Sequence, residues 1–168
     1  MRHTRSRSDI ASAARVASRV DLRSVKLLAC SCKQQAGRPT GQMVFDMTRS
    51  CRFEFSDKKD ALGVIARFVL HAFGEGEEQQ KKNSFLSIDA TFFLLYRLDG
   101  AEGLDDMALS SFADLNGTYN AWPYWREFVQ SITSRMDLPP LTIPVFRLPV
   151  SSARVAAKKE KEAVPVKE

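Results

Sequence analysis

The chain has 168 residues, 44% of them hydrophobic, which fits one globular domain and excludes a wholly disordered protein. No run of 18 apolar residues occurs, so nothing in it reads as a membrane-spanning helix. The net charge of +5 sits in the ends: residues 1–20 hold five Arg and one Asp, residues 150–168 hold five Lys or Arg and three Glu, and residues 21–149 hold fifteen bases and sixteen acids, leaving the middle without the field that specific nucleic-acid binding uses.

Residues 1–20 read as a basic lead-in, flexible or helical, with Ile10, Ala13, Ala14, Ala17 and Val20 at helical spacing. A first strand is expected over 21–33, rich in Val, Leu and Cys. Its "LLAC" at 27–30 has the form of a lipoprotein cleavage box, but Asp21, Arg23 and Lys26 interrupt the apolar segment that such a signal needs. Three cysteines in a chain of this length argue against a disulfide scaffold and for a reducing, cytoplasmic compartment. Cys30 and Cys32 share a strand face, and this spacing makes neither a CxxC redox pair nor a metal quartet.

Strict alternation marks three further strands. Over 42–56, Met43, Phe45, Met47, Cys51, Phe53 and Phe55 share a face into which only Arg49 intrudes. Over 61–73 the apolar face is Leu62, Val64, Ala66, Phe68, Leu70 and Ala72. Over 85–98 it is Leu86, Ile88, Ala90, Phe92, Leu94, Tyr96 and Leu98. The links between strands are too short for a crossover helix, so the sheet is expected to be antiparallel. His71 lies mid-strand without a nearby carboxylate or second histidine, and Asp89 and Arg97 read as an exposed or interface pair. No catalytic residue, metal site or cofactor is therefore expected.

Beyond Gly100 the period becomes helical. "LDDMALSSFADLNG" opens on acids, as a helix N-terminus prefers, and Asn116-Gly117 reads as its stop. A second helix would be capped by Thr118 or Asn120, with Pro123 in its first turn and an apolar stripe of Trp125, Phe128, Val129, Ile132 and Met136. Pro139 and Pro140 end it by Leu138. "LPPLTIPVFRLP" is then an extended segment whose Leu138, Leu141, Ile143, Val145 and Phe146 must pack on something or bind something. The fold class is α+β: a four-stranded antiparallel sheet, a broken long helix, an extended proline-rich loop, and a charged, disordered tail over 150–168.

The segment "NAWPYWREFVQSITSRMDLPPLTIPVF" resembles the SecB-type protein-export chaperones. The residues that carry the likeness are Asn120, Pro123, Tyr124, Arg126, Glu127, Arg135, Leu138, Pro139, Leu141, Ile143, Pro144 and Val145. With the strand order before them, the likeness spans roughly residues 21–149. It implies an ATP-independent holdase, not an enzyme, that binds unfolded or preprotein polypeptides in apolar grooves. It also implies a homotetramer, a dimer of dimers with helices buried between sheets, that hands clients to the SecA motor. Some relatives control antitoxins instead, so the alternative is a subunit of the same fold dedicated to one protein.

The chain departs from the family pattern in four places, one of them the hairpin tip, where Glu75, Glu77 and Glu78 mix with Lys81 and Lys82 instead of forming an acidic SecA-facing surface. Between Leu141 and Pro144 it is one residue shorter, and after Val145 it carries Phe-Arg where the family tends to have Asn-Phe. From Leu148 it lacks the large apolar residues of a final lid helix. On this reading Trp122, Tyr124, Leu138, Leu141, Ile143, Val145 and Phe146 line the client site. Trp125, Phe128, Val129, Ile132 and Met136 pack the core or the oligomer.

Overall fold

The computed structural model describes residues 7–35, 43–74 and 84–147. The polar hairpin tip, the charged tail and the segment where a lid helix would start lie outside the described residues.

The four strands form where alternation places them: β1 (Val20–Gln34), β2 (Met43–Phe55), β3 (Ala61–Gly74) and β4 (Leu86–Leu98). All pairings are antiparallel, in the spatial order β1-β4-β3-β2. The chain therefore leaves β1 at one edge and re-enters the sheet at the other. Leu62, Val64, Ala66, Phe68 and Leu70 of β3 meet Ile88, Ala90, Leu94 and Tyr96 of β4 on one fully buried face. The two central strands thus carry the core, and the two edges carry its margins.

Helix α1 (Arg7–Ala17) gives the lead-in its helical form. It buries Ala13 and Val16. Arg15 reaches Asp105 at 2.9 Å, and Arg19 donates to the Glu102 carbonyl at 2.6 Å. These contacts tie the lead-in to the folded unit, whose packing starts upstream of residue 21.

Helix α2 (Asp106–Phe112) starts where the acids predict it. The Asp105 carboxylate accepts from the Ala108 N–H at 2.7 Å, which satisfies one of the free donors of the first turn. That bond and the Arg15 contact hold the Asp105 carboxyl below its usual range.

The expected stop at Asn116-Gly117 is not a stop. The chain passes through a π-helical turn (Ala113–Gly117) directly into α3 (Thr118–Arg135). Gly117 keeps a helical backbone at φ −59°, ψ −48°. A Cβ there would stand 2.6 Å from Val64 Cγ1, so this glycine serves close approach of helix to sheet rather than termination. Thr118 and Asn120 accordingly cap nothing, and Pro123 lies inside α3, on its exposed side, where water can reach the carbonyl that loses its N–H partner.

The widened turn also has a packing reason. Buried residues recur every fourth position through Leu109, Ala113, Gly117, Ala121, Trp125, Val129 and Thr133. In a straight α-helix a four-residue stripe drifts by about 40° per step, and a π-turn takes up part of that drift. The helix ends with Asp137 in the left-handed region at φ 57°, and Leu138 N–H returns to the Thr133 carbonyl at 3.0 Å.

Candidate functional site

The site is built around α3, the proline-rich segment that follows it, and β2. Asn120 donates to the Tyr96 hydroxyl at 3.0 Å, which fixes α3 to the sheet. Burial is the main cause that pushes the Tyr96 phenol up to about 12, so it stays protonated in any ordinary buffer. Trp125 is fully buried, stacked on Phe68 with ring centroids 5.4 Å apart, and its indole N–H points at the Met47 sulfur at 3.3 Å. Val129 is buried, and Phe128, Ile132 and Met136 pack on the core while partly exposed.

The proline-rich segment is strapped to α3 by side chains. Trp122 Nε1 donates to the Pro144 carbonyl at 2.8 Å, and Arg126 Nε to the Ile143 carbonyl at 2.7 Å. The Leu141 N–H donates to Thr133 Oγ1 at 3.1 Å. A segment with four prolines has few N–H groups of its own to give, so two of these three donors come from the helix. Arg126, a conspicuous polar residue of the sequence motif, is thus a clamp on the loop backbone.

This strapping divides the residues expected to line a client site. Leu138 and Ile143 are buried and face the core, and Trp122 is 7% exposed against Phe68. These three are core in the structure, because α3 and the loop close over them, and they offer no free surface. Leu141 and Phe146 are partly buried, while Tyr124 and Val145 are exposed. Only these last four can meet a partner directly.

Beside them lies a surface that alternation identified as a strand face but not as a site. Helix α3 sits over β3 and β4, so the core-side residues of β2 are only half covered. Phe45 is 39% exposed, and Met47, Cys51, Phe53 and Phe55 are partly so. Among the described residues β2 pairs with β3 alone, so its outer backbone edge is also open. The result is a strip that offers apolar side chains and unpaired backbone together. Finding it from sequence would have required the strand order, which places β2 at an edge.

Arg49 stands in the middle of this strip. Its Nη1 donates to Asp114 Oδ1 at 2.8 Å, to the Asp114 carbonyl at 3.1 Å and to Thr118 Oγ1 at 2.6 Å, so it braces the π-turn. Its guanidinium carbon lies 5.4 Å from the centre of the Phe146 ring. The intrusion into an apolar strand face therefore joins β2, the π-turn and the end of the loop.

The opposite face of the sheet is mixed in charge. Asp21, Asp46, Glu54 and Asp89 share it with Lys26, Lys33, Arg52, Arg67 and Arg97. Asp89 is engaged by Arg67 at 3.0 Å and Asp21 by Arg97 at 2.8 Å, so Asp89 and Arg97 pair across strands and not with each other. Cys30 and Cys32 are free thiols on the β1 edge, Cys30 exposed, and burial pushes the Cys32 thiol up. His71 lies 3.4 Å from Ser84 Oγ. Among the described residues no three His, Cys, Asp or Glu side chains gather, and no helix is long and apolar enough to cross a membrane.

Comparison with known proteins agrees with this architecture. No family model matches the chain. Two curated relatives, the SecB-like chaperones Rv1957 and MT2006 from two strains of Mycobacterium tuberculosis, are each 27% identical over 156 residues, covering 82% of this chain and 83% of theirs. A solved structure of the M. tuberculosis SecB-like chaperone Rv1957, in complex with a ChAD peptide from the Rv1956 HigA1 antitoxin, shares the fold with a TM-score of 0.73 at 22% identity. That match covers 83% of this chain and 99% of the other.

Proposed function

Because the chain is similar in sequence and in fold to the SecB-like chaperones, we propose that it is an ATP-independent cytoplasmic holdase that binds non-native polypeptides along β2. The observation that carries this reading is the half-covered apolar strip of Phe45, Met47, Phe53 and Phe55 on an open sheet edge. Such a surface suits an extended chain of variable sequence: the backbone edge bonds to any residue, and Phe and Met adapt to varied side chains. Micromolar affinity needs only about −8 kcal/mol, which several shallow contacts supply together. Leu141, Tyr124, Val145 and Phe146 extend the strip from the α3 side.

Two apolar margins support assembly into a homo-oligomer, a tetramer on the pattern of the family. Leu22 and Leu27 are exposed on the core side of β1, and Met107 and Tyr119 are exposed on the helices. Transfer to SecA has less support, since among the described residues the outer face of the sheet mixes acids with bases and offers no acidic patch.

A dedicated role for one partner is the second reading, favoured by the antitoxin peptide held by the structural relative. Light scattering separates the two. The full chain, without nucleotide, is expected to suppress aggregation of several unrelated unfolded proteins. Protection of none of them, with capture of a single cellular protein in a pull-down, would replace the general holdase by the dedicated subunit. Sedimentation of the same sample tests assembly, and a stable monomer at micromolar concentration would contradict it.

A further inference from the structure

A cleft of about 640 Å³ opens at the end of the sheet where β1 and β3 finish and β4 begins. It is lined by Lys33, Gln34, Gln35, His71, Ser84 and Ser87, and takes no residue from β2, α3 or the proline-rich segment. Strand register explains the gathering. Lys33 stands opposite Ser87, and Ser87 opposite His71, so three polar side chains form one row across β1, β4 and β3. Neighbours in such a row have Cβ atoms about 4.5–5.5 Å apart. An oxygen-rich group seated over Ser87 therefore has the Lys33 ammonium on one side and the His71 imidazole on the other. The His71 Nδ1 faces Ser84 Oγ at 3.4 Å, which leaves Nε2 for a ligand.

The charge of the cleft is one-sided. Lys33 brings three donors and no acceptor, and among the described residues it has no ion-pair partner. Elsewhere on this face Arg67 is held by Asp89, and Arg97 by Asp21. None of the described lining residues is acidic, and burial pushes up the thiol of Cys32, which also borders the cleft. Asp46 follows His71 in the row, on β2, but does not line the cleft. The row Lys26–Phe93–Ile65–Arg52 also holds two bases, yet Phe93 and Ile65 stand between them, so it offers no seat for an anion.

We propose that this cleft binds the phosphate group of a small organic ester, seated over Ser87 between Lys33 and His71. A phosphate presents oxygens on several sides and can accept from all three side chains at once, whereas a carboxylate offers two oxygens in one plane. The volume lies within the range of about 300–1,000 Å³ that holds small organic molecules, so the cleft has room for more than the phosphate itself. Gln34 supplies an amide for the rest of the ligand. The site stands apart from the β2 strip and does not depend on the holdase reading.

The chain has two histidines, so NMR can follow the His71 imidazole with His3 as internal reference. Titration of the full chain with glycerol 3-phosphate, at fixed pH and matched ionic strength, is expected to shift the His71 signals saturably and leave those of His3 in place. Inorganic phosphate should move the same signals at higher concentration, and acetate should bind at least about tenfold more weakly than the ester. Lys33→Gln is expected to weaken the ester about tenfold, the loss that follows from removing a charged hydrogen-bond partner. Ser87→Ala should weaken it severalfold without touching a charge. Lys26→Gln is the control: it removes the same charge from the same face of β1, roughly 20 Å along the strand, where salt screens it, and should leave the affinity unchanged. A His71 response that is absent, that never saturates, or that both lysine variants reduce alike would overturn the proposal and leave only general attraction of anions. Acetate binding as well as the ester would overturn the phosphate class, and inorganic phosphate binding more tightly than the ester would overturn the organic ligand. Full affinity in Ser87→Ala would overturn the placement of the anion in this row.

Discussion

Replacing Trp125 by Ala is expected to lower stability by about 3–5 kcal/mol. The indole is fully buried, stacked on Phe68 and Phe128, and its N–H meets the Met47 sulfur. Truncation removes the transfer energy of the largest buried side chain and leaves a cavity between α3 and β3 that neither rigid element can close. Urea unfolding of the full chain at a fixed protomer concentration measures it, since association would otherwise shift the midpoint. Tyr124→Ala, one position earlier, is the control: the side chain is 48% exposed and the change should stay within about 0.5 kcal/mol. A loss below about 1 kcal/mol for Trp125→Ala would contradict the placement of the helix on the sheet.

The second large effect concerns binding. Phe45→Glu combined with Val145→Glu puts a carboxylate at each side of the proposed strip, at two exposed sites where folding loses little. Binding of an unfolded polypeptide is expected to weaken at least about tenfold, which corresponds to about 1.4 kcal/mol. Each substitution removes an apolar contact and adds a charge that the ligand would have to desolvate. Thr48→Glu is the matched control, because Thr48 lies on the same strand but on its other face, opposite Val69. An equal loss from Thr48→Glu would show that charge alone weakens binding, or that the ligand uses the outer face.

How much of this was legible in the sequence depends on what each inference needed. The strands were legible because period-2 alternation is a local property: Leu62 to Ala72 and Leu86 to Leu98 could face only a core. The antiparallel sense followed from short links. Strand order did not follow, since β1 lies beside β4 and β2 takes the far edge, an outcome set by which faces the helices cover. That gap hid the β2 strip, whose Phe45, Met47, Phe53 and Phe55 look in sequence like any buried face. Arg49 was a visible exception whose meaning needed the fold, because its partners Asp114, Thr118 and Phe146 lie 65 or more positions away.

Asn116-Gly117 misled for a related reason. The pair carries the composition of a helix stop, yet Gly117 exists to pass Val64 closely, a tertiary constraint that overrides local propensity. The proline-rich loop was legible as a segment that must pack. Its division into buried Leu138 and Ile143, half-buried Phe146 and outward Val145 depended on the donors that Trp122 and Arg126 supply from α3. The resemblance to SecB-type chaperones, carried by that same stretch, agrees with the relatives in sequence and fold.

The most direct test of the central claim is amide hydrogen exchange on the full chain with and without a saturating unfolded polypeptide. An extended chain laid along the open edge should slow exchange in β2, residues 43–55, and in the loop over 138–146, while the already protected β3 and β4 stay unchanged. Binding that leaves β2 and the loop unaltered, or that protects the β1 edge in their place, would contradict the account.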